Sequence, residues 1–159
     1  NDLKYDAIIL SMAGLQRLSS NHLITYTFPI DEILPAACQG AVGVQMLSSN
    51  NNLKSFLKPL NHDPTEKRCR AERGVLRLIN ANCNSPIGML AELDDDKLLI
   101  RCDIFDHDGN KLYTNTIKNF LSKSNDIIQE MGEDILSSLG QNTIDNLDKL
   151  NNDFNYTPK

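Results

Sequence analysis

The sequence predicts an α+β fold whose main part is a three-stranded antiparallel sheet with helices on one face. Three strand-like stretches, at residues 87–93, 98–105 and 111–117, follow one another with only short Asp-rich turns between them. Helical periodicity precedes them at residues 63–79 and follows them at residues 125–139. This order of helix, three strands and helix is typical of a two-layer α+β domain.

The composition is that of a folded protein, with 40% hydrophobic and 23% charged residues in a chain of 159. A net charge of -5 argues against a nucleic-acid-binding surface. Apolar runs such as residues 7–10 are too short to cross a bilayer. Four scattered cysteines without a C-x-x-C pair, and a start without a secretory signal pattern, predict reduced thiols and a cytoplasmic location.

The residues before about position 60 predict isolated elements rather than a domain. Residues 5–12 form an Ile-rich run typical of a strand buried in a parallel sheet, and a turn or short helix follows at residues 13–18. Residues 22–28 alternate loosely, and residues 39–46 contain glycines typical of a strand that another backbone or a ligand approaches. Residues 53–60 have helical spacing. A buried strand without partners is incomplete, so we expect pieces of larger domains here.

The first helix of the α+β domain has the clearest start signal. Asp63 is predicted as the N-cap, Pro64 as the first helical residue, and Glu66 completes a capping box. Cys69 and Glu72 lie on the same face as aliphatic residues. The stripe is mostly apolar, so this face is predicted to pack on a core.

The second helix carries an apolar stripe that includes Ile128, Met131 and Ile135. Ser124 is predicted to cap it and Gly140 to end it. The residues after about position 141 are predicted to be a loose tail.

Cys83 is the residue best suited to covalent chemistry. It lies in a polar loop between a helix and a strand, where a thiol can be exposed and ionise to a nucleophilic thiolate. An ordinary loop cysteine is the alternative that the residues leave open. Cys69 and Cys102, on a helix face and in a strand, are predicted to belong to the core.

Arg17 and Gln39 are candidates for ligand binding. Arg17 follows a predicted buried strand and Gly14, and a guanidinium at the carboxyl end of a strand suits a carboxylate or phosphate. Gln39 and Gly40 follow a proline-rich bend and offer an amide and backbone N–H groups. A solvated arginine and a plain turn are the alternatives. No metal pattern is present, because the three histidines lack partners at the required spacing.

Three segments together resemble the porphobilinogen deaminases, also called hydroxymethylbilane synthases. They are YDAIILSMAGLQRL at residues 5–18, LPAACQGAVGVQ at residues 34–45 and AERGVLRLINANCNSPIGMLAEL at residues 71–93. Their order and intervals agree with the family, and the similarity weakens after about residue 93. The resemblance implies a three-domain enzyme of heme and tetrapyrrole biosynthesis. Two of its domains are α/β domains like the halves of periplasmic binding proteins, and the third is a three-stranded sheet with helices on one face.

The resemblance also implies a reaction and a cofactor. The family condenses four porphobilinogen molecules head to tail into hydroxymethylbilane and releases ammonia at each addition. Its dipyrromethane primer is bound covalently to a cysteine, and that cysteine matches Cys83. Arg17 matches an arginine that binds carboxylates of substrate or cofactor, and Gln39 matches an active-site glutamine near a hinge. Gly14 and Gly40 match positions where backbone lines the cleft between domains.

By this resemblance the chain is the C-terminal portion of such an enzyme. We expect residues 1–34 to be the last part of domain 2, residues 41–58 to be a return segment of domain 1, and residues 63–159 to be domain 3. Hinges are expected at residues 35–40 and 59–62. The family's catalytic aspartate belongs to the first domain, so no catalytic residue is expected in this chain, which by itself should be inactive.

The expected partners are porphobilinogen, the growing polypyrrole chain and the missing N-terminal half, with neither nucleic acid nor membrane. The family is expected to be monomeric. An anionic ligand on a chain of net charge -5 is understandable if the missing half supplies the cations. The sequence departs from the family where Cys38 replaces a common Gly, and where residues 80–82 lack the Gly-Gly that is usual before the cofactor cysteine.

A non-enzymatic binding or interaction module at residues 61–140 is the alternative, because a fold does not by itself fix a function. The two hypotheses make different predictions for the sequence upstream of Asn1. An arginine-rich first domain favours the enzyme, and an unrelated domain favours the module.

Overall fold

The computed structural model of the chain describes residues 6–82 and 84–150. The chain divides into two compact units, Asn1–Ile33 and Leu34–Lys159. Among the described residues, no helix has both the length and the apolar character needed to cross a membrane.

In the described part of the first unit, the chain forms the short helix α1 (Met12–Arg17), which is followed by a 3₁₀ turn at Asn21–Leu23. The helix lies where a turn or short helix was expected. The second unit contains the following helices and strands: α2 (Asn51–Leu57), α3 (Asp63–Leu78), β1 (Ile87–Asp94), β2 (Lys97–Phe105), β3 (Lys111–Phe120), α4 (Ser124–Leu139) and α5 (Gln141–Leu150).

The three strands form one antiparallel sheet in the order β1-β2-β3. Met89, Cys102 and Asn115 lie side by side across it. Both connections are tight, and Asp95 and Gly109 take the positive φ values, 53° and 84°, that such turns require. The predicted α+β fold with a three-stranded antiparallel sheet is confirmed.

Helices α3 and α4 pack on the face of the sheet that carries the apolar side chains. Val75 and Met131 are fully buried against the aliphatic residues of the strands. Asp134 on α4 accepts hydrogen bonds from the Tyr113 hydroxyl at 2.5 Å and from the Asn115 amide at 2.8 Å. These bonds fix α4 on β3 at a point where the apolar face contains polar groups.

Glycines allow α3 and α4 to approach each other closely. A Cβ atom at Gly74 would lie 2.9 Å from Cγ2 of Ile128, and one at Gly132 would lie 3.0 Å from Cβ of Leu78. Gly74 on α3 therefore makes room for the side chain of Ile128 on α4, and Gly132 on α4 makes room for the side chain of Leu78 on α3.

The strands predicted before residue 60 are absent from the described residues. Residues 6–12, 22–28 and 39–46 contain no strand, and they include exposed apolar side chains: Ile8 is 70%, and Val42 90%, exposed. The prediction was wrong for a physical reason. A strand is stable when its N–H and C=O groups pair with a neighbouring backbone, and these stretches have no such neighbour among the described residues.

The predicted start of α3 is also corrected. The helix begins at Asp63, one residue earlier than expected, and the residue in the N-cap position is His62. The Asp63 carboxylate does not cap the helix but pairs with Lys67 at 2.6 Å. The end signal of α4 is confirmed, because Gly140 follows its last residue with a φ of 75°.

The predicted loose tail is wrong for residues 141–150, which form α5. Ile144 is fully buried and Leu147 is 5% exposed, so one face of α5 completes the core. The two side chains are three residues apart and share a face of the helix. Two apolar residues that follow a helix-ending glycine are a weak sequence signal for a further helix. Residues 151–159 lie outside the described residues.

The burial of Ile144 predicts that α5 stabilises the domain. Ile144→Ala should lower the free energy of unfolding by about 2–5 kcal/mol, because it removes apolar contacts and leaves a cavity. Asn142→Ala, at an exposed position in the same helix, should change it by less than about 0.5 kcal/mol. Denaturant unfolding followed by circular dichroism measures both. Equal stabilities of the two variants would contradict the packing of α5.

Candidate functional site

A cleft of about 210 Å³ lies beside the outer edge of β1, between α3 and the segment at residues 35–41. Arg68, Cys69 and Glu72 form its wall on the α3 side. Cys38, Gln39, and the adjoining glycine line the opposite side. The cleft therefore lies entirely within the second unit.

The segment at residues 35–41 is hydrogen-bonded to the outer edge of the sheet, which β1 forms. The N–H of Met89 donates to the carbonyl of Pro35 at 2.8 Å, and Ala36 forms an antiparallel bridge with Gly88. A Cβ atom at Gly88 would lie 2.8 Å from Cβ of Leu34, so only glycine permits this approach. The edge of β1 is thus covered by backbone from before α2.

Glu72 joins this segment to both α3 and β1. Its side chain reaches the edge of the sheet from α3, and the residue is 5% exposed. One carboxylate oxygen accepts the N–H of Ala91 at 2.7 Å, and the other accepts the N–H of Cys38 at 2.5 Å. Hydrogen bonds to an ionised acceptor are stronger than neutral ones, and here they satisfy two backbone donors from separate parts of the chain.

Cys38 has a left-handed backbone, with a φ of 61°. Burial raises the pKa of its thiol to about 11, and the nearby Cys69 and Glu72 act in the same direction. A hydrogen bond with Arg73 opposes this rise. The Cys38 thiol is therefore protonated at neutral pH, and its S–H donates to the carbonyl of Cys69 with an Sγ-to-oxygen distance of 3.7 Å.

Two hydrogen-bonded turns present Gln39 and Gly40 to the cleft. The N–H of Gln39 donates to the carbonyl of Ala36 at 3.0 Å, and the N–H of Ala41 donates to that of Cys38 at 3.1 Å. Gly40 has a φ of 82°, and a Cβ atom there would meet no atom within 4 Å. Both residues are exposed, so the Gln39 amide is accessible to a ligand.

Of the other site residues predicted from the sequence, Arg17 and Gly14 lie together on α1 in the first unit. Arg17 is the last residue of that helix and is exposed. A Cβ atom at Gly14 would have only Cβ of Ser11 nearby, at 3.9 Å. The structure thus groups these residues into two pairs, Arg17 with Gly14 and the two cleft residues Gln39 with Gly40.

Cys83 lies outside the described residues, but the residues on either side of it are described. Asn82 and Asn84 are both exposed. The N–H of Asn84 donates to the side-chain oxygen of Asn82 at 2.8 Å, and the N–H of Asn82 donates to Oγ of Ser85 at 3.0 Å. Local side-chain hydrogen bonds therefore hold the flanks of this loop.

The sequence predictions missed three residues of the cleft. Cys69 was expected in the core but lines the cleft and is half-buried, whereas Cys102 is fully buried as expected. The role of Glu72 could have been predicted from one feature of the sequence. A carboxylate within the apolar stripe of a helix is stable only if buried hydrogen-bond donors contact it. Cys38 gave none. Its neighbour Cys69 is 31 residues away in sequence. Among the described residues, no group of three acidic, His or Cys side chains is placed to hold a metal ion.

The comparisons with known proteins agree along the chain. Residues 1–55 match the family model for the dipyrromethane cofactor binding domain of porphobilinogen deaminase, and residues 66–137 match the model for the C-terminal domain of porphobilinogen deaminase. The chain is 35% identical over 136 residues to proteins named porphobilinogen deaminase from Prochlorococcus marinus strains NATL1A and NATL2A. These alignments cover 86% of this chain but 42% of each relative, so the chain spans less than half of their length.

The bonds of Glu72 predict a large effect of a small substitution. Glu72→Gln keeps the size of the side chain but replaces one acceptor with an NH₂ group that faces an N–H. It should lower the free energy of unfolding by about 1–3 kcal/mol. Glu130→Gln, at an exposed position, is the matched control and should have an effect below about 0.5 kcal/mol. Chemical denaturation of both variants tests this, and a Glu72→Gln protein as stable as the control would refute the bridging role.

Proposed function

The chain belongs to the porphobilinogen deaminase family, and we propose that it is the C-terminal part of an enzyme that condenses four porphobilinogen molecules into hydroxymethylbilane. The reaction releases ammonia at each addition and belongs to tetrapyrrole and heme biosynthesis. The observation that carries this proposal is that two family models match the chain and describe the same enzyme. One matches residues 1–55, the other matches residues 66–137, and both are models of porphobilinogen deaminase domains.

Cys83 is the proposed attachment point of the dipyrromethane. A thiolate adds to the activated methylene of a pyrrole and forms a stable thioether. The exposure of the flanking residues Asn82 and Asn84 supports this proposal, because a bulky adduct attached between them would not have to enter the core. When bound, the dipyrromethane supplies the primer from which the polypyrrole chain grows. Cys83 falls within the range matched by the C-terminal-domain model.

Arg17 and Gln39 are proposed to hold carboxylates of the substrate or of the cofactor. Each of these side chains suits a ligand that carries carboxylates, because an exposed guanidinium and an exposed amide both donate hydrogen bonds to carboxylate oxygens. Gly14 and Gly40 are proposed to line the interdomain cleft with backbone. Gly40 supports this role, since it is exposed and its positive φ favours a residue without a side chain, which leaves backbone at the surface.

The domain limits are part of the same proposal. Residues 1–34 and 41–58 belong to two domains like the halves of periplasmic binding proteins, residues 35–40 and 59–62 are hinges, and residues 63–159 are the third domain. The exposed apolar side chains outside the third domain support this division, including Ile8, Ile9, Val42 and Val44. Such side chains are expected where the rest of a domain covers them.

The remainder of the enzyme is proposed to supply the catalytic aspartate and most cations that hold the pyrrole carboxylates. The parent protein is proposed to act as a cytoplasmic monomer. A net charge of -5 is unfavourable for a polyanionic ligand, and opposite charges on the remainder would compensate for it.

The 159-residue chain alone should therefore not consume porphobilinogen. The measurement is loss of porphobilinogen in a colorimetric assay, with a full-length family member as the positive control. Adding a separately expressed N-terminal half of the same protein should restore consumption if the two parts assemble. Consumption by the chain alone, above that of a heat-denatured sample, would contradict the proposal.

In the full-length protein, intact-mass spectrometry should show a dipyrromethane adduct that is lost in Cys83→Ser. Cys69→Ser is the matched control and should keep the adduct, because Cys69 lies on α3 and not between α3 and β1, where Cys83 falls in the sequence. An adduct that persists in Cys83→Ser would refute the assignment of this cysteine. Loss of the adduct in both variants would also refute it.

A further inference from the structure

Two cysteines meet in the cleft beside β1, from parts of the chain 31 residues apart. The Cys38 thiol donates to the backbone carbonyl of Cys69 with a distance of 3.7 Å between sulfur and oxygen. Neither cysteine is in a disulfide in this structure, and both are half-buried, so the pair is accessible from the cleft.

The approach of the two cysteines is fixed by Glu72. Glu72 lies three residues after Cys69, on the same face of α3. Its carboxylate holds the N–H of Cys38 at 2.5 Å, so the backbone of Cys38 is tied to the helix face that carries Cys69. The bridge between Ala36 and Gly88 fixes the same segment from the side of the sheet.

Cys69 also influences the ionisation of Cys38. After burial and the opposing bond with Arg73, the charge of Cys69 and a hydrogen bond with it are the next influences on the pKa of Cys38, and both raise it.

We propose that Cys38 and Cys69 form a reversible disulfide that fastens residues 35–41 to α3. The oxidant is a small-molecule disulfide such as oxidised glutathione. The cysteine pair is distinct from Cys83, and formation of the disulfide does not depend on the proposed reaction. Its effect on catalysis rests on the proposed function, since the fastened segment carries Gln39 and Gly40.

The exchange proceeds in two steps that balance. The Cys69 thiol loses its proton to solvent, and the thiolate attacks one sulfur of oxidised glutathione, which forms a mixed disulfide and expels one glutathione thiolate. Cys38 then loses its proton, and its sulfur attacks Cys69 Sγ, which forms the protein disulfide and expels the second glutathione. Two cysteines are oxidised, and one glutathione disulfide is reduced to two thiols.

The order of the steps follows from the environment of Cys38. Its thiol, with a pKa of about 11, is almost wholly protonated at pH 8, and the thiolate is the form that attacks a disulfide. We therefore assign to Cys38 the second step, in which its sulfur resolves the mixed disulfide within the same chain, and the first attack to Cys69. Closing the disulfide should quicken between pH 8 and pH 10, as the thiolate fraction of Cys38 rises about tenfold for each pH unit.

The test uses the 159-residue chain with oxidised glutathione at pH 8, quenched with acid and digested without reductant. Mass spectrometry should find the Cys38 and Cys69 peptides joined, at a mass about 2 Da below the sum of the reduced peptides. Dithiothreitol should separate them. The oxidised chain should also melt at a higher temperature than the reduced chain, because the cross-link closes a loop.

Variants assign the roles of the two thiols. Cys38→Ser should stop at a glutathione adduct on Cys69, and Cys69→Ser should form neither the cross-link nor, at pH 8, an appreciable adduct on Cys38. Cys102→Val, which replaces the fully buried cysteine, should cross-link as the unsubstituted chain does. The proposal is overturned if the unsubstituted chain accumulates glutathione on Cys69 without cross-linking, or if the only disulfides found involve Cys83 or Cys102. None of these measurements uses porphobilinogen turnover. The test of the disulfide therefore stays valid even if the proposed enzymatic function proves wrong.

Discussion

The buried carboxylate of Glu72 joins three parts of the second unit. It lies on α3 and accepts one N–H from the edge of β1 and another from Cys38. A carboxylate this far from water is tolerated because both of its oxygens have donors, and the N–H of Ala91 would otherwise lack an acceptor. The bond to Cys38 holds the segment at residues 35–41 beside the sheet. Both the cleft and the cysteine pair therefore depend on it.

Apolar side chains are buried in the α+β domain and exposed in much of the chain before it. In the α+β domain, α3 and α4 bury one face of the sheet around fully buried residues such as Ile100 and Met131, and α5 adds Ile144 to this core. In the first unit, and between α1 and α2 more generally, Ile-rich and Val-rich stretches are exposed. A stretch with the composition of a buried strand becomes one only where a second backbone pairs with it. This contrast supports the proposal that these stretches belong to domains shared with a longer protein.

The candidate site was only partly predictable. Gln39 and Gly40 were predicted from their position after a proline-rich bend and again from the family resemblance, and the structure adds that they lie on a cleft with an exposed amide. Cys69 was assigned to the core because helical periodicity gives the face of a residue but not what covers that face. Cys38 was noted only as a departure from the family. Its pairing with Cys69 is a contact across 31 residues, which no local pattern encodes.

By itself the sequence determined the elements of the α+β domain, because helix and strand periodicities, Asp-Gly turns and Gly140 act within a few residues. It also determined the family, through three segments whose order and spacing are specific. Only the tertiary structure decided that residues 141–150 complete the core, that the Ile-rich stretches are not strands, and that Glu72 bridges α3, β1 and Cys38. These outcomes depend on which backbone lies beside a residue, and that neighbour is set by packing between distant parts of the chain.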